Sequence, residues 1–321
     1  MAITQQKTDE NMKNMAAIAD NIEKVVLGKR EAVELTVLTL ISGGHILIED
    51  VPGVGKTTLV SALAKSIDCG FSRIQFTPDV MPSDVTGFSI YNQKTKEFEF
   101  RPGSVMSNII LADEINRASA KTQSSLLEAM EERQVTVDAK TYKLQEPFMV
   151  LATENPLDSY GTYPLPEAQI DRFMIKISIG YPDFEEEKKM ALLRDTAKKE
   201  LKPVVSGEQI IQLREDAAEI TVDDTVMSYI VEIITATRNS AELTLGSSPR
   251  GTIALMMLSQ TCAMFRGRTY VIPDDVKYLA PFVLGHRVIM THDAKARGRE
   301  PKQIIQELLS NITVPLPGTE G

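Results

Sequence analysis

Only two cysteines and three histidines occur in this chain of 321 residues. Cys69 and Cys262 have no CxxC or Cys/His spacing, so a disulfide scaffold and a thiolate metal site are both excluded, and each reads as a small buried apolar residue. His45, His286 and His292 share no ligand spacing either, which leaves no histidine metal site. Long hydrophobic runs are also missing. The longest uncharged stretches, residues 35–48 and 251–265, fall short of the ~20 residues that a membrane-spanning helix requires. The first seven residues carry no apolar run of the kind that directs export, so the expectation is a cytoplasmic chain without membrane insertion. Basic residues are in deficit: 35 Lys and Arg stand against 44 Asp and Glu, a net charge of −9. Such a balance argues against nucleic acid or an anionic lipid surface as partner. What remains is ordinary for a folded soluble chain, with 43% hydrophobic and 25% charged residues, and the length allows one large domain or two ordinary ones.

Apolar residues at three-and-four spacing predict helices over residues 9–27 and 29–41. The period then changes. His45-Ile46-Leu47-Ile48-Glu49 reads as a strand, the following glycine-bearing segment as a turn, and residues 56–67 as a helix. Further strands are expected at 71–76, 108–111, 147–152 and 174–179, with a helix over 118–130. Strands that are apolar on both faces and alternate with helices imply a largely parallel α/β sheet. Two stretches interrupt the alternation as two-stranded hairpins would, one within residues 77–104 and one over 134–144. After Tyr181-Pro182 the strand signal gives way to helical patterns near 184–200, 207–219, 223–240, 249–265 and 273–284. The expected division is therefore an α/β unit over residues 1–181 and a helical unit over 182–321.

The sharpest chemical signal is Gly53-Val54-Gly55-Lys56-Thr57-Thr58 at a strand-to-helix junction. Such a loop turns backbone N–H groups toward the phosphates of a nucleotide, Lys56 adds a point charge, and the Thr57 hydroxyl can ligate Mg²⁺. One departure is that Asp50 stands where phosphate loops usually begin with glycine. A second apolar strand ends in Asp113-Glu114, 57 residues beyond Lys56. Asp113 is placed to hold the Mg²⁺ water shell and Glu114 to polarise an attacking water; two acids after a strand can also simply cap the next helix. A third strand ends in Thr153-Glu154-Asn155-Pro156. Asn155 could bind the lytic water or the γ-phosphate, or serve only as a turn residue before proline.

Lys56, Asp113-Glu114 and Asn155 occur in the order found in AAA+ ATPases. The text around them resembles the MoxR family, in the branch that carries a helix-2 insert. The resemblance rests on Glu49-Asp50-Val51-Pro52-Gly53-Val54-Gly55-Lys56-Thr57, Asp113-Glu114-Ile115-Asn116-Arg117-Ala118, Leu127-Glu128-Ala129-Met130-Glu131-Glu132, Ala152-Thr153-Glu154-Asn155-Pro156, Glu167-Ala168-Gln169-Ile170-Asp171-Arg172-Phe173 and Ser248-Pro249-Arg250-Gly251. It runs from about Val25 to about Pro317, and Asp50 is usual for the family. It implies a P-loop NTPase core with a parallel sheet, followed by an all-α lid. Val26-Leu27-Gly28 would line the adenine pocket, Lys56 and Thr57 would fill the Walker A role, Asp113 and Glu114 Walker B, and Asn155 sensor 1. Arg172 resembles the arginine finger that reaches a neighbour's γ-phosphate. Arg250 resembles sensor 2, reading the phosphates of its own subunit. Both arginines have an alternative as ion-pair partners of nearby acids. The 77–104 and 134–144 segments match the helix-2 insert and the pre-sensor-1 hairpin.

The resulting expectation is an ATP hydrolase using ATP and Mg²⁺, assembled into a homo-oligomeric ring, a hexamer, and acting on a protein client as a chaperone would. The resemblance extends to clients with von Willebrand factor A domains. Two other readings stay open: a nucleotide-gated scaffold whose hydrolysis is incidental, and a nucleic-acid-linked ring motor, against which the net acidity argues. No Asn-Lys-x-Asp tetrapeptide occurs, so guanine is not the expected base.

Overall fold

The computed structural model describes residues 3–155, 162–192 and 201–315. Helix α1 (Gln5–Glu23) begins earlier than its apolar pattern because the Thr4 side chain caps it by accepting the Lys7 N–H. It also stops earlier than expected, before a turn that ends at Gly28 with φ +70°. Helix α2 (Arg30–Ile41) follows and leads into β1 (Ile46–Glu49), the phosphate-loop candidate and α3 (Lys56–Ser66). Then come β2 (Phe71–Gln75), the short α4 (Pro82–Thr86), the hairpin β3 (Gly87–Asn92) and β4 (Glu97–Pro102), β5 (Ile109–Asp113), and α5 (Ala120–Glu132). The second hairpin, β6 (Gln134–Val137) and β7 (Lys140–Lys143), precedes β8 (Met149–Glu154), α6 (Glu167–Ile170) and β9 (Ile175–Ile177).

Five of these strands form one parallel sheet in the order β2-β5-β8-β1-β9. Side chains alternate across it. Ile46, Ile48, Ile109, Leu111 and Leu151 face one apolar layer, whereas Leu47, Ile110, Ala112 and Val150 face another, which is why the strands read as unbroken apolar runs. Both expected hairpins form, and they lean on each other: the rings of Phe100 and Tyr142 stack with centroids 3.9 Å apart.

Beyond the sheet run α7 (Phe184–Leu192), α8 (Gly207–Ala218), α9 (Asp224–Asn239), β10 (Leu243–Leu245), α10 (Pro249–Phe265), α11 (Pro273–Leu284), β11 (Ile289–Met290), α12 (His292–Ala296) and α13 (Pro301–Asn311). The helix expected over 184–200 falls outside the described residues past Leu192. The lid is helical as expected, with a small antiparallel ribbon added by β10 and β11. Three residues against two are too few to leave a period in the sequence. Residues of α1, α2, α8, α10 and α11 share one apolar cluster with a face of the sheet, so the N-terminal helices tie the core to the lid. No described helix is long and apolar enough to cross a membrane.

Of the two cysteines, Cys262 is buried as expected and Cys69 is only half-buried. Burial raises both thiols, to about 12 and about 11, so neither is a ready nucleophile.

Candidate active site

In a parallel sheet all strands point the same way, so loops after the strands meet at one edge. There the chain brings together the segment after β1, the tip of β5 and the tip of β8. Gly53 and Gly55 have φ of +91° and +94°, a region costly for any residue with a Cβ, and a Cβ built on either would meet nothing within 4 Å. The loop is thus an open cradle. Gly55 caps α3, so the helix N-terminus faces that space, with Lys56 and Thr57 in its first turn, Thr58 exposed and Val54 packed on the core. Lys56 Nζ donates to the carbonyls of Asp50 at 2.9 Å and Val51 at 3.3 Å.

Asp50 has a clear structural part. Its Oδ2 accepts from the N–H groups of Ile179 (2.6 Å) and Gly180 (2.9 Å) and from the Ser178 hydroxyl (3.2 Å), locking the start of the phosphate loop to the chain leaving β9. The next residue on that exit, Tyr181, accepts from Lys29 Nζ at 2.7 Å. Lys29, which follows Val26-Leu27-Gly28, is thereby tied to the same exit from β9 that holds Asp50. Val26 packs into the core, while Gly28 lies directly against the Glu186 carboxylate.

At the tip of β5, Asp113 is buried and both its oxygens are engaged. Oδ1 accepts from the Thr153 hydroxyl at 2.8 Å, and Oδ2 accepts from Arg73 Nη2 at 2.6 Å and Nε at 3.1 Å. Glu114 takes a left-handed backbone, φ +56° and ψ +50°, which is uncommon for a non-glycine residue and is held in place by its N–H donating to Thr153 Oγ1 at 2.9 Å. Its carboxylate Oε2 accepts from Gln75 Nε2 at 3.1 Å and lies 3.0 Å from Arg117 Nε. Asn155 is buried just beyond β8; Pro156 of the same string lies outside the described residues. The neighbouring Glu154 carboxyl is raised by burial and by Glu49, against the opposing effect of Lys176.

The residues present fit a magnesium–triphosphate. Thr57 and Asp113 supply hard oxygen donors beside an open N–H cradle. Among the described residues no group of three or more acids, histidines or cysteines could hold an ion alone, so phosphate oxygens would have to complete the coordination.

Arg172 and Arg250 are not at this edge. Arg172 precedes β9 and Arg250 opens α10, and both pair with Glu131 at the end of α5, Arg172 Nε at 3.0 Å from Oε2 and Arg250 Nη2 in a short contact with Oε1. With Gly43, Gly44 and His45, which lead into β1, they line a cavity of about 270 Å³. The four residues of β1, about 13 Å of strand, lie between that cavity and the phosphate loop. Arg250 thus lies beside Arg172, at the end of β1 opposite the phosphate loop. The cause is local: Ser248, the cap of α10, donates to Asp171 Oδ2 at 2.9 Å, which holds the helix start beside Arg172. Asp171 Oδ1 accepts from Arg287 Nε at 2.8 Å. Arg287 is pushed down to about 10 by burial, despite that partner. The same cavity holds Arg133, likewise lowered by burial, so four guanidinium groups face two carboxylates and the space favours an anion.

Thr153, Glu131 and Asp171 stand in the quoted motifs without a role of their own, and Arg73, Gln75 and Arg287 carry no motif signal in the sequence. The alternation Arg73, Ile74, Gln75 marks two polar residues on one face of a strand, but only the pairing of β2 with β5 puts them on Asp113 and Glu114.

A nucleotide cradle at strand ends, paired acids and a helical lid define a P-loop ATPase of the AAA+ class. Residues 45–175 match the ATPase family associated with various cellular activities (AAA), and residues 235–308 match the AAA lid domain. YeaC of Bacillus subtilis is 52% identical over 299 residues, which cover 92% of this chain and 93% of that protein. The chaperone MoxR1 of Mycobacterium tuberculosis is 41% identical over 303 residues, covering 92% and 80%. A crystal structure of a protein from Cytophaga hutchinsonii matches with a TM-score of 0.90 and 40% identity, over 97% of this chain and 98% of that one. The chain belongs to the MoxR family of AAA+ ATPases.

Proposed function

We propose that this chain hydrolyses ATP at the interfaces of a cytoplasmic homo-oligomeric ring, a hexamer, and couples turnover to remodelling a protein client. The observation that carries the reading is the split of the machinery. Lys56, Asp113 and Glu114 sit at one edge of the sheet, while Arg172 and Arg250 share Glu131 at the other. A complete site then needs two subunits, joined head to tail, and head-to-tail contacts close into rings. The division into a core over 1–181 and a lid over 182–321 is part of the same reading.

Lys56 and the N–H groups of the 53–57 loop would hold the phosphates, Val26-Leu27-Gly28 the base, and Thr57 with Asp113 the magnesium ion. When bound, the ion neutralises charge on the phosphates. Glu114 accepts a proton as water adds to the γ-phosphorus and the bond to ADP breaks, and Asn155 orients that water. The neighbour's Arg172 and Arg250 stabilise the charge gathering on the transferred group, a task suited to planar, always-charged donors.

The chaperone name of the Mycobacterium tuberculosis relative supports a protein client. The resemblance to MoxR proteins further points to clients with von Willebrand factor A domains. Steady-state ATP turnover measured against protein concentration, alongside oligomer size, tests the reading. Turnover per subunit should rise as rings form. Negligible turnover in fully formed rings would leave a nucleotide-gated scaffold instead, and salt-sensitive stimulation by DNA would favour the motor.

A further inference from the structure

Arg73 is bonded to Asp113, the carboxylate read above as the holder of a divalent ion. It projects from β2, the edge strand, on the face opposite Ile74, and about half of its side chain is exposed. Two of its nitrogens, Nε at 3.1 Å and Nη2 at 2.6 Å, converge on a single oxygen, Asp113 Oδ2. The other oxygen, Oδ1, accepts from the Thr153 hydroxyl, so a cation approaching Asp113 meets a carboxylate with three of its roughly four acceptor sites already used. Arg73 Nη2 also donates to Gln75 Oε1 at 3.1 Å, and Gln75 Nε2 donates to Glu114 Oε2 at 3.1 Å. The same guanidinium is therefore linked to both acids of the site.

We propose that Arg73 is a tethered cation that competes with the divalent ion for Asp113 and so sets the ion concentration at which the nucleotide site fills. This rests on the reading of Asp113 as the magnesium-holding residue. A guanidinium stays charged at every pH the protein meets, so the competition is permanent and independent of acidity. Solvent reaches the pair from the half-exposed guanidinium side, so a divalent ion carrying phosphate ligands displaces Arg73 there without unfolding the site. Once displaced, Arg73 keeps its link to Gln75, and Gln75 its link to Glu114, so filling of the ion site is transmitted to the residue that activates water.

Manganese is the probe, read by electron paramagnetic resonance of the free ion in the full-length protein with ADP at fixed concentration. The wild type should bind Mn²⁺ in a nucleotide-dependent way that Asp113→Asn removes. If it does not, the metal role of Asp113 fails first, whatever Arg73 does. With that established, Arg73→Gln should tighten Mn²⁺ about fivefold while leaving metal-free ADP affinity unchanged. Arg73→Lys, which keeps the charge but loses the two-pronged contact, should show a smaller tightening and serves if the glutamine variant does not fold. Unchanged or weaker Mn²⁺ binding in the folded variant overturns the proposal. A loss of metal-free ADP affinity also overturns it, because Arg73 would then be a phosphate ligand.

Discussion

The Thr153 hydroxyl donates to Asp113 Oδ1 at 2.8 Å and accepts the Glu114 N–H at 2.9 Å, so one fully buried oxygen on β8 fixes both acids at the end of β5. Replacing Thr153 by valine keeps the shape and removes that oxygen. The Glu114 N–H is then left without its acceptor, at a cost of about 1–2 kcal/mol in folding stability. The left-handed backbone of Glu114 also loses its restraint. We expect kcat to fall about tenfold in Thr153→Val with nucleotide affinity nearly unchanged, since no phosphate contact is touched. Wild-type turnover in a folded variant would mean that β8 does not position the acids.

Glu114→Gln removes the base and leaves the Asp113 carboxylate intact. Nucleotide should still bind, and hydrolysis should slow by about 10²–10⁴-fold, the usual contribution of a positioned base. Equilibrium binding of a fluorescent ATP analogue and phosphate release, measured on one preparation, separate the two effects. Unchanged release would take Glu114 out of that role.

Subunit mixing tests where the arginines act. Lys56→Ala subunits mixed with Arg172→Ala subunits should regain activity, because about a quarter of interfaces in a random ring combine an intact loop with an intact finger. Lys56→Ala mixed with Arg250→Ala should behave alike, since Arg250 shares the Glu131 edge with Arg172. Arg172→Ala mixed with Arg250→Ala should regain nothing, because no subunit then carries both. Rescue in this last mixture would return Arg250 to the phosphates of its own chain.

Much of the fold was legible in the sequence because it is written in short-range patterns. The two-faced apolar strands Ile46–Glu49 and Ile109–Asp113, the glycine turn before Lys56 and the paired hairpins all announce themselves within sixteen residues or fewer. The partners of the acids were not legible. Arg73 lies 40 residues from Asp113 and meets it only because β2 pairs with β5, and Thr153 reaches both acids only because β8 pairs with β5 on its other side. The setting of Arg250 was not legible either: Ser248, two residues before it, bonds to Asp171, 77 residues away, and that long-range partner places the start of α10 beside Arg172.

Asp50 bears on stability more than on chemistry. Three donors from residues 178–180 converge on its Oδ2, and Asp50→Ala strands the two backbone N–H groups among them. A loss of about 2–3 kcal/mol in urea unfolding is expected, as for removal of a charged acceptor from a buried site. Because the same residue anchors the start of the phosphate loop, nucleotide affinity should fall with it. Unaltered unfolding would show that the chain leaving β9 does not depend on this contact.

His45 gives the fold a dependence on acidity. Its Nδ1 accepts the Val150 N–H at 3.0 Å and its Nε2 lies 3.3 Å from the Met130 carbonyl, an arrangement that suits a neutral ring protonated on Nε2. Burial, aided by Arg133, pushes the imidazole down to about 3, whereas in an unfolded chain it titrates near 6.5. Between those values the unfolded chain binds a proton that the folded chain refuses. Stability therefore rises with pH across this window and is lost as pH falls below about 6.5. From pH 7.5 to 5.5 the loss due to this residue should be about 1.4 kcal/mol. His286, lowered in the same direction by burial, adds to the wild-type slope. In His45→Gln the difference between urea unfolding at the two pH values should shrink by that amount, whatever the variant's absolute stability. An identical pH difference in wild type and variant would mean that His45 is protonated in the folded chain.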